Sequence, residues 1–161
     1  MSIKVGDKLP EGRFTVMNED GPGSLSTKEL FAGKKVVLFS VPGAFTPTCS
    51  REHLPGYIEM AGEFRNKGVD TVACMAVNDV FVMEAWGNAA GADAKVLLLA
   101  DGNGDYARAL GVDFDGSGFG LGTRGKRFAM VVDDGVVSAL FEEESPGELK
   151  ASTAEKVLAS L

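Results

Sequence analysis

Three short apolar runs constrain this chain more than any other feature. Val36-Val37-Leu38-Phe39 with Val41, Val69 to Val77, and Val96 to Leu99 are rich in β-branched residues and lack a solvent-facing alternation. A strand that is apolar on both sides must be covered on both faces, which an internal strand of an α/β sheet satisfies. Helical patterns separate the runs: Thr46 to about Lys67, with an interruption expected at Pro55-Gly56, and Asp79 to about Ala90, with Asp79 as its N-cap. Strand, helix, strand, helix, strand implies parallel pairing. Further on, Arg127 to Asp133 and Val136 to Phe141 flank Asp134-Gly135, a dipeptide suited to a tight antiparallel hairpin. Thr153 to Leu161 closes as a helix with Ala154, Val157, Leu158 and Leu161 on one face. The expectation is one α/β domain over residues 1–161, a central mixed β-sheet flanked by helices on both faces.

Composition narrows the partners. Lys and Arg number 16 against 23 Asp and Glu, and the net charge of -7 repels phosphate backbones and anionic lipid. No nucleic acid and no membrane surface is expected as a partner, and no apolar stretch approaches the ~20 residues that span a bilayer. Met1 to Asp7 shows no targeting pattern, so a cytoplasmic location is the expectation. One histidine and two cysteines, Cys49 and Cys74, cannot supply the usual four-ligand zinc site and form no C-x-x-C pair. No metal and no cofactor is expected, and two such cysteines suit a reducing compartment with free thiols.

The chemistry concentrates where the first apolar run gives way to a helix, at Val41-Pro42-Gly43-Ala44-Phe45-Thr46-Pro47-Thr48-Cys49-Ser50. With Thr46 as N-cap and Pro47 at the first helical position, Cys49 occupies the third position of the first turn. Unpaired N–H groups and the positive end of the helix dipole favour a thiolate there. A lone cysteine is more often a small buried hydrophobe, and that reading prevails for Cys74, inside the apolar Val72-Ala73-Cys74-Met75-Ala76-Val77.

Pro42, Thr46 and Cys49 make the P-x-x-x-T-x-x-C signature of the peroxiredoxins, and the surrounding decapeptide resembles their type II, or type-5, branch. The likeness continues through Lys4-Val5-Gly6-Asp7, His53-Leu54-Pro55-Gly56-Tyr57, Val77-Asn78-Asp79, Trp86, Leu99-Ala100-Asp101 and Lys126-Arg127-Phe128. The resemblance implies a thioredoxin-like fold and reduction of hydrogen peroxide and alkyl hydroperoxides by Cys49. It implies that Thr46 hydrogen-bonds the peroxide, that Arg127 fixes thiolate and peroxide oxygens, and that Pro42 shields the sulfur. It also implies a homodimer, through loops near Cys49 where Phe45 and Phe81 are partly exposed. No cysteine lies between Phe141 and Leu161, where two-cysteine members of the branch carry a resolving one. The chain thus resembles the one-cysteine enzymes, reduced by an external thiol such as glutathione, glutaredoxin or thioredoxin. Cys74 as a resolving partner stays open, but a disulfide needs Cα atoms within about 7 Å.

Thiolate formation alone does not explain such a reaction. Lowering a thiol from pKa about 8.5 to about 6 raises its thiolate fraction at pH 7 from ~3% to ~90%. Each thiolate then loses roughly tenfold in nucleophilicity, so the net gain is a few-fold. Alignment of the O–O bond and stabilisation of the leaving oxygen must supply the rest. The reading therefore requires a sulfur open to solvent and a guanidinium within reach of it. His53, four residues beyond Cys49, is expected to orient the site rather than to shuttle protons. Asp101 to Asp105 reads as a turn, since it lacks the twelfth-position Glu of a calcium loop, and Gly116 to Gly120 reads as a loop near the site or an interface. A thiol–disulfide oxidoreductase on the same fold, or a sensor oxidised once, are the competing functions; the first is weakened by the absent C-x-x-C pair.

Overall fold

The both-face burial inferred for the apolar runs is met by a seven-stranded sheet in the computed structural model, which describes residues 3–161. The strands are β1 (Arg13–Asn18), β2 (Gly21–Ser26), β3 (Lys35–Ser40), β4 (Thr71–Ala76), β5 (Leu97–Ala100), β6 (Asp113–Asp115), β7 (Thr123–Gly125), β8 (Phe128–Asp133) and β9 (Val136–Glu142). The helices are α1 (Thr27–Phe31), α2 (Leu54–Asn66), α3 (Val80–Ala90), α4 (Asp105–Leu110) and α5 (Ala154–Ala159). The main sheet runs β2-β1-β5-β4-β3-β8-β9, and β6-β7 form a separate hairpin. β3, β4 and β5 are parallel as expected, while β8 pairs antiparallel with β3 and β9 with β8. Asp134 and Gly135 both take positive φ, 48° and 80°, as a two-residue hairpin turn of type I′ demands.

Alternation through the central strands feeds two cores. Val37 and Phe39 of β3, Cys74 and Ala76 of β4 and Ala129 and Val131 of β8 join one cluster with Cys49, Leu54, Tyr57, Phe64 and Trp86. Val36 and Leu38, Ala73 and Met75, and Phe128, Met130 and Val132 pack into the other with Leu30, Phe31 and Tyr106. Both Cys49 and Cys74 therefore lie on the same side of the sheet.

Asp79 and Thr153 cap α3 and α5 as their side chains accept from Val82 N–H and Lys156 N–H. Two expectations need correction. The helix after the first run is not interrupted at Pro55-Gly56: α2 runs through both, and the irregularity is a π-type turn over Cys49–His53, with Leu54 N–H bonded to Cys49 O. Pro55 has no N–H for the carbonyl of Arg51, so the defect is displaced one turn toward the N-terminus and appears as a wider ring. Thr46 does precede helical Pro47, but its hydroxyl donates to Gly43 O at 2.7 Å instead of capping the helix. The hairpin β1-β2, α1, α4 and the β6-β7 hairpin were outside the sequence reading. No helix among the described residues is long and apolar enough to cross a membrane.

Candidate active site

Ser50 N–H is bonded to Thr46 O at 2.9 Å, so the N–H groups of Thr48 and Cys49 precede the i−4 ladder and face no helical carbonyl. The sulfur of Cys49 thus sits at a donor-rich helix entrance, as its sequence position implied. Arg127, immediately before β8, completes the arrangement. β8 pairs with β3, the strand that delivers Val41 and Pro42, so Arg127 arrives beside the loop although 78 residues separate it from Cys49. Its Nη2–H donates to Cys49 Sγ at 3.1 Å. A guanidinium is charged at every accessible pH and has no acceptor, so the sulfur is the accepting atom of this contact.

The guanidinium is itself held. Its Nε–H donates to Pro146 O at 3.1 Å, and Nη1–H donates to His53 Nδ1 at 2.9 Å. Since arginine can only donate, Nδ1 must be the accepting nitrogen of a neutral ring, and Nε2–H donates to Ser152 O at 3.0 Å. Burial, followed by the Arg127 charge, depresses His53 to about 3. The expected orienting role thus has a definite form: His53 touches Arg127 rather than the sulfur. The Phe39 ring lies 4.9 Å from that of His53 and stacks on Tyr57 at 4.0 Å, tying both to β3.

Two further supports escaped the sequence reading. Ala44 N–H donates to Asn78 Oδ1 at 2.9 Å, and Arg124 on β7 donates through Nη1 to Val77 O at 3.2 Å and Pro42 O at 3.5 Å, fastening the loop from outside. The glycines around the β6-β7 hairpin gave no hint of Arg124. Pro42 is buried in this loop and Thr46 is half-buried beside it. Phe45, with φ 63°, holds a left-handed conformation that ordinary residues avoid, and the residue is 55% exposed.

The requirement of an open sulfur is not met: Cys49 has 0% exposure. A segment from Glu143 to Ser152 crosses over the guanidinium, with Pro146 O on Arg127 and Thr48 Oγ1 donating to Gly147 O at 3.4 Å. Cys74, equally buried, has a different environment. Burial, and then the proximity of Cys49, push its thiol well above the ordinary range, and both cysteines are free.

The sequence matches the Redoxin family over residues 4–158. It is 53% identical over 166 residues to Peroxiredoxin-2E-2, chloroplastic, of Oryza sativa subsp. japonica, covering 99% of this chain and 73% of that protein. It is 47% identical over 160 residues to Peroxiredoxin-2B of Arabidopsis thaliana, covering 99% and 98%. The fold superimposes with a TM-score of 0.93 on a crystal structure of reduced Prx3 from Vibrio vulnificus in complex with hydrogen peroxide, at 49% identity and 98% coverage of both chains. A cysteine at a helix entrance under an arginine from the far end of the chain, carried on this mixed sheet and matched almost end to end, places the chain in the Redoxin family, among the type II peroxiredoxins.

Proposed function

We propose that this peroxiredoxin reduces hydroperoxides through Cys49 in a one-cysteine cycle completed by an external thiol. The observation that carries the reading is the 3.1 Å bond from Arg127 Nη2–H to Cys49 Sγ. The thiolate attacks one peroxide oxygen in line with the O–O bond. An S–O bond forms, the O–O bond breaks with its electron pair leaving on the second oxygen, and that oxygen takes a proton to become water or an alcohol. Cys49 is left as sulfenic acid. One external thiol condenses with it, releasing water and forming a mixed disulfide; a second thiol attacks that disulfide, restoring Cys49 and leaving as the oxidised reductant.

Arg127 retains N–H groups beyond its three bonded ones, and these suit the charge that grows on the departing oxygen. Because the Thr46 hydroxyl already donates to Gly43 O, it offers a peroxide only lone pairs, and so orients the substrate by accepting its O–H. Pro42 keeps water from the sulfur. Closure of the site means that substrate entry requires the covering chain to yield, and the left-handed Phe45 and the Glu143–Ser152 segment flank the place where it must.

Cys74 is excluded from resolution in this proposal because it is a buried, protonated thiol in a strand. Peroxide consumption with glutathione alone, glutaredoxin with glutathione, and thioredoxin tests the cycle: Cys74→Ser keeps turnover with at least one donor, and loss of all turnover overturns the one-cysteine assignment. A homodimer belongs to the same proposal. Phe45, Phe81 and Phe119 are 55%, 65% and 88% exposed, and a second copy is the occupant that the family likeness suggests. A one-chain mass by gel filtration at micromolar concentration contradicts it. A reducing compartment is proposed, with no preference for cytoplasm, since the rice relative is named chloroplastic.

A further inference from the structure

Glu142, Glu143 and Glu144 follow one another at the end of β9, a run whose ordinary reading is a solvated face. Glu143 departs from it. Its Oε2 accepts from Ala151 N–H at 2.8 Å, Ser152 N–H at 2.6 Å and Ser152 Oγ–H at 2.7 Å, and Lys150 N–H lies 3.0 Å from Oε1. Partial burial raises this carboxyl, but the Ser152 hydroxyl and the three backbone donors outweigh it, and the net shift is downward. The four donors form an anion-binding concavity filled from within the chain.

Those bonds fix the Ser152 peptide, whose carbonyl then accepts from two buried donors, Tyr57 Oη–H at 2.7 Å and His53 Nε2–H at 3.0 Å. An imidazole that donates from Nε2 presents a lone pair at Nδ1, and that lone pair meets Arg127 Nη1–H. The remaining Nη2 is thereby aimed at Cys49 Sγ. The same segment returns to the same arginine twice more, through Glu143 N–H to Arg127 O at 3.2 Å and Arg127 Nε–H to Pro146 O.

We infer that Glu143 is a positioning residue for peroxide reduction, setting the direction of the Arg127 guanidinium against the Cys49 sulfur through Ser152 and His53. The inference rests on the peroxidase reading. A long flexible side chain has several rotamers, and only one meets the sulfur while satisfying His53 and Pro146; the fastened segment selects it. A carboxylate that merely stapled the segment would affect stability alone.

The test uses two readouts in the Cys74→Ser background: Cys49 thiolate absorbance in the ultraviolet without peroxide, and the rate of oxidation by hydrogen peroxide. In Glu143→Gln, which loses the charge, the oxidation rate falls about tenfold and the thiolate absorbance at a fixed near-neutral pH drops visibly. His53→Leu, lacking an acceptor, does the same or worse. In His53→Asn the amide oxygen still reaches the Nδ1 position but nothing donates to Ser152 O, so adding Glu143→Gln to that variant lowers the rate by less than about twofold further. Unchanged absorbance and rate in Glu143→Gln, with only a lower melting temperature, overturns the inference, as does a full, about tenfold loss from Glu143→Gln in the His53→Asn variant. Should Glu143→Gln fail to fold, Ser152→Ala deletes one of the four donors; a rate about two- to threefold lower supports the inference and an unchanged rate overturns it. Because the absorbance is read without peroxide, an inactive parent protein removes the peroxidase reading yet leaves this readout in force.

Discussion

Cys49 and Cys74 share one core cluster, and both have 0% exposure, yet their surroundings place them in opposite chemical classes. Cys74 lies mid-strand, registered between Phe39 and Leu98, and burial holds its proton. Cys49 lies at a helix entrance with a guanidinium N–H on its sulfur. On the proposed peroxidase reading, reactivity follows the partner and not the exposure. A desolvated thiolate without a cation would be expensive, and the same dry setting strengthens the attraction once the cation is in place.

Removing the partner breaks the contrast most severely. In Arg127→Ala the peroxide-dependent kcat/KM is expected to fall by about two to three orders of magnitude, the range for deleting a preorganised donor to a developing oxyanion. Steady-state peroxide consumption checks this, and a rate within a few-fold of the parent would remove Arg127 from the mechanism. Thr46→Val preserves shape and deletes the lone pairs, and a smaller loss of about 10- to 100-fold in kcat/KM is expected. Cys74→Ser should leave turnover within about twofold and lower stability by about 1 kcal/mol, the direction for a hydroxyl introduced into an apolar strand. Urea unfolding alongside turnover measures both.

The last expected effect falls on stability alone, as a pH dependence. The chain has one histidine, and its folded ring titrates at about 3 against an ordinary 6.5. Between those values the unfolded chain binds the extra proton, so stability is full above about 6.5 and is lost as pH falls, with a limiting slope of about 1.4 kcal/mol per pH unit. Glu143, lowered as well, acts in the same direction but only through the carboxylate range. Unfolding between pH 6.5 and about 5 thus isolates His53. His53→Asn should flatten the slope there; an identical slope in that variant would show that His53 is not buried neutral.

The sequence showed the central strands plainly because burial on two faces leaves an unbroken apolar signature. The edge was less legible: β2 reads Gly21-Pro22-Gly23-Ser24-Leu25-Ser26, and a half-exposed edge strand of such residues carries no hydrophobic alternation. Pro55 was recognised as a disruptor, but its effect appears at the carbonyl it fails to serve rather than at its own position. At the site, Cys49, Thr46 and Pro42 were legible as local signals. Arg127 was named through resemblance, since its approach depends on β3–β8 pairing. The His53–Arg127 bond, the Asn78 and Arg124 anchors and the Glu143 carboxylate depend on tertiary contacts between distant segments, which no local spacing encodes.

The most direct test exposes the reduced protein to one equivalent of hydrogen peroxide in the presence of a sulfenate-trapping dione and locates the adduct by peptide mass spectrometry. The account predicts trapping at Cys49 alone, with Cys74 recovered as a free thiol. An adduct on Cys74, or an unmodified Cys49 after the peroxide has been consumed, would contradict it.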